Sequence, residues 1–143
     1  PVRYEDILSG QGIESIYSFL KNTRNYEKTK YDEIIEKSND RPSAISKYKN
    51  IDPKCRETFR LFSKFYGRCA KNFALDTLAL GGVYIAGGIA MKNKDILENK
   101  EFLDEFIDCQ TQKEVLNSIP VYLIRDYNVS LYGGAFYSVV NSK

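Results

Sequence analysis

With 143 residues, 43% of them hydrophobic and 13% aromatic, the chain holds enough apolar side chain for one folded domain, which excludes a disordered or low-complexity segment. A net charge of +2, with lysines interleaved among acids, excludes a nucleic-acid footprint, and no apolar run is long enough to span a bilayer. Three cysteines, Cys55, Cys69 and Cys109, suit reduced thiols and a cytoplasmic home, and the chain offers no histidine for a metal site.

In chain order, Ser9 is a candidate amino-terminal cap, and Ile13, Ile16, Tyr17 and Leu20 recur on one helical face to about Asn22. Residues 21–54 are polar, mix both charges and lack sustained periodicity, so they read as a variable surface excursion. From Pro53 to about Leu80 the spacing of Phe59, Phe62, Tyr66, Cys69 and Phe73 predicts a long core helix, and Gly67, Cys69 and Ala70 leave room at its middle for a second backbone. Cys55 and Cys69 would stand roughly 21 Å apart along that helix, too far to pair. A strand over 83–87 and another over about 120–125 are apolar throughout. The length of the helical crossover between them makes them parallel neighbours. That crossover presents Phe102, Leu103, Phe106 and Ile107, then Val115 and Leu116, and a last helix presents Leu131, Ala135, Phe136, Val139 and Val140. Two parallel strands cannot bury their own faces, so a larger sheet is expected, its other strands lying before residue 1.

Gly81-Gly82 and Gly87-Gly88 flank the first strand. Ligands of open α/β sheets bind beyond the carboxyl ends of the strands. A residue pair without Cβ atoms at that end lets a flat ligand such as a nucleotide lie against the main chain. An ordinary glycine turn after a core strand gives the same pattern, and the chain has no Gly-x-x-x-x-Gly-Lys-Ser/Thr or Gly-x-Gly-x-x-Gly loop of its own.

Three blocks narrow this further. They are Val2-Arg3-Tyr4-Glu5-Asp6-Ile7-Leu8-Ser9-Gly10-Gln11-Gly12; the stretch from Cys55-Arg56 through Leu61-Phe62, Gly67-Arg68, Asn72 and Ala74-Leu75 into Gly-Gly-Val-Tyr-Ile-Ala-Gly-Gly-Ile; and Ile119 to Ile124 with Leu131-Tyr132-Gly133-Gly134-Ala135. Their order and spacing resemble the bacterial-type ATP-dependent glucokinases of the sugar kinase and actin superfamily. The resemblance covers nearly the whole chain and is weak between Lys21 and Lys54. It implies an α/β fold: a partial ribonuclease-H-like, actin- or hexokinase-type lobe, mostly helical, with two parallel strands of a larger sheet. Residues 1–143 would form the carboxyl-terminal part of the large lobe.

The resemblance also implies roles. Gly87, Gly88 and Ile89 match the adenosine-contacting turn, Ser9 and Gly10 lie at a helix start directed to the same cleft, and Glu5 matches a sugar-binding carboxylate. A carboxylate suits sugar hydroxyls because two coplanar oxygens accept from neighbouring O–H groups. The implied whole is a hexose kinase that phosphorylates glucose with ATP and Mg2+, both bound mainly by a missing amino-terminal lobe, and it is compatible with a homodimer. No catalytic residue falls in this chain, so the chain alone is expected to be inactive. A non-catalytic nucleotide-binding or interaction module with the same fold is the alternative. Two departures from the pattern stand out: Asp76 replaces an expected amide, and Tyr132 would narrow or stack on an adenine pocket.

Overall fold

The computed structural model describes residues 1–142, and its element order is helical throughout except for two short strands. After a single 3-10 turn at Tyr4–Asp6 come α1 (Gly10–Thr23), α2 (Lys30–Glu36), α3 (Arg41–Tyr48) and α4 (Pro53–Asp76). Then follow β1 (Val83–Ile85), α5 (Gly88–Lys92), α6 (Asp95–Glu98), α7 (Lys100–Ile107), α8 (Lys113–Ser118), β2 (Val121–Leu123) and α9 (Val129–Asn141).

The strands pair in parallel, Val83 opposite Val121, Tyr84 opposite Tyr122 and Ile85 opposite Leu123, with the α5–α8 crossover between them. Both are shorter than their apolar runs. The sheet is covered on one face rather than two: Val83, Ile85, Val121 and Leu123 turn to the core, whereas Tyr84 and Tyr122 stay open and stack, ring centroids 5.0 Å apart. A strand's side chains alternate, so a single helical layer can cover only one set.

Helix α4 is the spine. Phe59 and Phe62 pack with α1 in one core cluster, and Ala70 and Ala74 pack with Phe102, Phe106, Ile85 and Leu116 in a second. The crossing with α7 is close at Gly67, where a Cβ would stand 2.4 Å from the Phe102 carbonyl oxygen, so the small residue is required by the approach of the second backbone. Phe73 departs from the expected stripe, lies 56% exposed and packs on Tyr4 at 5.9 Å between centroids, and Leu103 likewise faces outward.

Helix α4 also stops four residues before its predicted end. The Leu78 and Ala79 amides donate to the carbonyls of Leu75 and Ala74, and Leu78 takes the left-handed conformation at φ +46°. This is a Schellman closure, which usually employs glycine at that position. The glycines at 81 and 82 mark the next turn instead of the helix end.

Residues 21–54, expected as a surface excursion, contain α2 and α3, and these set Ile35 and Ile45, each 1% exposed, into the first core cluster. Beneath them lies a buried polar network. The Lys54 ammonium meets the Asp32 carboxylate at 3.1 Å and donates to the Glu27 carbonyl; Tyr17 donates to Asp32 at 2.6 Å; Asp52 accepts from Thr29 and caps α4 through the Lys54 and Cys55 amides. Burial opposes the Asp32 charge, but the hydrogen bonds from Tyr17 and the Thr29 amide, together with Lys54, outweigh it and hold the carboxyl below the usual carboxylate range. Burial and the neighbouring Asp32 push the Tyr17 hydroxyl up, and burial with Asp52 does the same to the Cys55 thiol.

The apolar side chains of α9 are not core. Leu131, Phe136, Val139 and Val140 are all more than half exposed, because among the described residues no element covers that helix.

Candidate functional site

At the carboxyl end of β1 the chain turns through Gly87, whose φ of +116° is strained for any residue with a Cβ, and Gly88 then opens α5. Next to this turn lies an open cleft of about 500 Å³ between α1, α3 and α5. Ile13, Pro42 and Ile89 give its lining apolar surface; Ser43, Ser46 and Asn93 add polar groups; Lys47 on its α3 wall and Gly88 and Lys92 on its α5 wall complete it.

Asn93 locks two of those walls together. It is 4% exposed; its Oδ1 accepts from Ser46 Oγ at 2.5 Å and from Lys49 Nζ at 2.9 Å, and its Nδ2 donates to the Ile89 carbonyl at 3.0 Å. Lys49 continues to Asp95 at 2.6 Å. A fully satisfied side-chain bridge between α3 and the end of α5 fixes the width of the cleft before any ligand arrives.

The expected site residues divide into two groups. Gly88 and Ile89 line the cleft, and Gly87 sets the turn above it. Gly10 faces the same region, since a Cβ there would touch Pro42 Cγ at 3.4 Å. Ser9 is occupied as the α1 cap, its Oγ accepting from the Gly12 amide at 3.1 Å, so the start of that helix is already partly satisfied. Glu5 lies elsewhere, exposed in the 3-10 turn and outside the lining of the cleft. Its neighbours Arg3 and Asp6 pair with each other at 2.9 Å.

Asp76, the charge that replaces an expected amide, lies exposed at the end of α4, and Arg68 pairs with Glu105 at 2.8 Å. Tyr132 is exposed on α9, and the ring that approaches the glycine turn is that of Tyr127, whose Cε1 lies 3.8 Å from where a Gly88 Cβ would stand. Tyr127, Lys47, Lys92 and Asn93 carry no motif, and only the fold reveals their position beside the turn.

Comparison with known proteins gives the family. The family model described as Glucokinase matches residues 1–140. Glucokinases of Nostoc punctiforme and Trichormus variabilis are 36% and 35% identical to the chain, each over 94% of it and 43% of their own length. That of Colwellia psychrerythraea is 34% identical over 94% of the chain and 40% of its own length. The chain therefore spans about two fifths of the relatives that it matches. A crystal structure of glucokinase from an Antarctic psychrotroph superimposes with a TM-score of 0.72 at 26% identity, over 92% of this chain and 38% of that one. A partial sugar-kinase lobe with two parallel strands, matched to these proteins along almost its entire length, belongs to the glucokinase family.

Proposed function

We propose that the chain is the carboxyl-terminal part of the large lobe of an ATP-dependent hexose kinase that phosphorylates glucose to glucose 6-phosphate. The observation that carries the reading is the glycine turn after β1 at the rim of a cleft large enough for a nucleoside. Phosphoryl transfer asks the protein mainly to position the donor, the acceptor hydroxyl and the charge that develops between them. In this reading Gly87, Gly88 and Ile89 present main chain to the adenosine, Gly10 and the Ser9-capped start of α1 support the opposite side, and Glu5 accepts hydrogen bonds from sugar hydroxyls.

Among the described residues no group of three acidic, histidine or cysteine side chains comes together as a metal site. The residues present therefore do not hold Mg2+ by themselves, and in this reading the ion, like ATP, is bound mainly by the missing amino-terminal lobe. The base that takes the hydroxyl proton and the loops that grip the phosphates belong, in this reading, to the region preceding Pro1 in the intact protein. The same region would cover the open face of α9 and the Tyr84–Tyr122 face of the sheet, both of which are otherwise exposed apolar surface.

The test is a coupled assay for glucose 6-phosphate on the intact protein, with Glu5→Gln beside it. The wild type should turn over glucose with ATP, and the amide, which keeps the shape but loses the charge, should weaken glucose by about 1.5–3 kcal/mol while ATP affinity holds. Absence of glucose phosphorylation contradicts the reading as a whole; wild-type glucose kinetics in Glu5→Gln removes Glu5 from it.

A further inference from the structure

The segment ahead of α1 is anchored on both sides of Glu5. The Tyr4 carbonyl accepts from the Ile7 amide at 3.0 Å and from the Leu8 amide at 2.7 Å, which closes the 3-10 turn. After the turn, Ile7 lies so close to α1 that a Cβ on Gly12 would stand 1.9 Å from its carbonyl oxygen. Before Glu5, the Tyr4 hydroxyl accepts from Asn72 Nδ2 on α4 at 2.6 Å, and the Tyr4 ring lies on Phe73. Asp6 turns back onto Arg3 and accepts from its amide and its guanidinium, each at 2.9 Å. Glu5 is exposed, and among the described residues its carboxylate joins no ion pair.

These anchors set the direction of Glu5. Three residues complete a 3-10 turn, so successive side chains point about 120° apart. Tyr4 takes the direction towards α4, where the segment runs along Phe65, Arg68 and Asn72, one helical face at three- and four-residue steps. Asp6 takes the direction of Arg3. Glu5 is left the third, away from the groove between the segment and α4, whose lining it does not join. A carboxylate with a fixed backbone and no partner to surrender accepts from ligand hydroxyls without an ordering cost. Asn72 is half-buried inside a long helix, where an amide is a poorer helix former than alanine, and its side-chain bond goes to Tyr4.

We infer that Asn72 is a positioning residue for the sugar: by holding the Tyr4 hydroxyl it fixes the turn that presents Glu5, and so ties glucose affinity to α4. This rests on the reading of Glu5 as the carboxylate that accepts from sugar hydroxyls. Asn72 and Tyr4 act through Glu5 and do not themselves touch the sugar.

The experiment measures KM for glucose, KM for ATP and the unfolding midpoint of the intact protein, for the wild type, Tyr4→Phe, Asn72→Ala, Glu5→Ala and the double variant Tyr4→Phe with Glu5→Ala. Tyr4→Phe deletes one oxygen and leaves a ring on Phe73, so the fold is kept. Positioning predicts that Tyr4→Phe and Asn72→Ala raise KM for glucose by the same factor, roughly 3- to 10-fold, with KM for ATP and the unfolding midpoint close to the wild type. Once Glu5 is gone no carboxylate remains to be placed, so Tyr4→Phe should then add less than about twofold. Wild-type glucose KM in Tyr4→Phe or in Asn72→Ala, with a rise in Glu5→Ala, overturns the positioning and leaves Glu5 standing; wild-type glucose KM in Glu5→Ala removes both. An equal effect of Tyr4→Phe with and without Glu5, or an equal rise in KM for ATP, also overturns it, because the bond would then serve the packing of the lobe as a whole.

Discussion

Lys54 and Asp32 form an ion pair at 3.1 Å with each side chain 2% exposed, which joins the first turn of α4 to the first turn of α2. Removing one partner of a buried pair strands the other charge in a poor solvent, and that costs more than the pair itself contributes. Lys54→Met in the intact protein should therefore lose about 3–5 kcal/mol in denaturant unfolding. The double variant Lys54→Met with Asp32→Asn should recover part of this. A single variant as stable as the wild type would mean that water reaches Asp32.

The same carboxylate sets an acid limit. Its folded-state value lies below the ordinary one, so its contribution is fully present above the unfolded value, about pH 4, and disappears as pH falls through the folded value. Asp32→Asn should be less stable than the wild type at pH 7 and the gap should close below about pH 4. Chemical denaturation at a series of pH values measures this, and a gap that stays constant down to pH 2 contradicts the assignment.

Leu78 holds the left-handed position that closes α4 while 59% exposed. A side chain there costs roughly 1–2 kcal/mol that glycine avoids, offset in part by the freedom glycine adds to the unfolded chain. Leu78→Gly should raise the unfolding midpoint, with a net gain of about 0.5–1 kcal/mol. A loss instead would show that the leucine side chain is packed in the intact protein.

That helix end also shows what the sequence hides. The spacing of Ile13, Ile16, Tyr17 and Leu20 behind Ser9 declares α1, and two short apolar runs separated by a helical crossover declare the parallel pair, because hydrophobic period and length survive in any context. The end of α4 is hidden because its closing residue is a leucine, and the visible glycines come three residues later. Helices α2 and α3 are hidden because each gives the core only one fully buried isoleucine, and the buried network beside them is made of Asp32, Asp52 and Lys54, charges that in sequence resemble a solvated surface. The candidate site is legible to the same degree: the glycine turn is visible, whereas Lys47 and Asn93 reach it from segments without a pattern.

The central claim, that the turn after β1 meets adenosine, rests on Gly88. Gly87 is a poor probe, because any Cβ strains its positive φ; Gly88 has an ordinary φ, and a Cβ there would meet only Tyr127 Cε1, at 3.8 Å, an ordinary van der Waals contact. Gly88→Val in the intact enzyme should fold normally and raise KM for ATP at least about tenfold while KM for glucose stays within about twofold of the wild type. Wild-type ATP kinetics in that variant would contradict the claim and remove the turn from the nucleotide site.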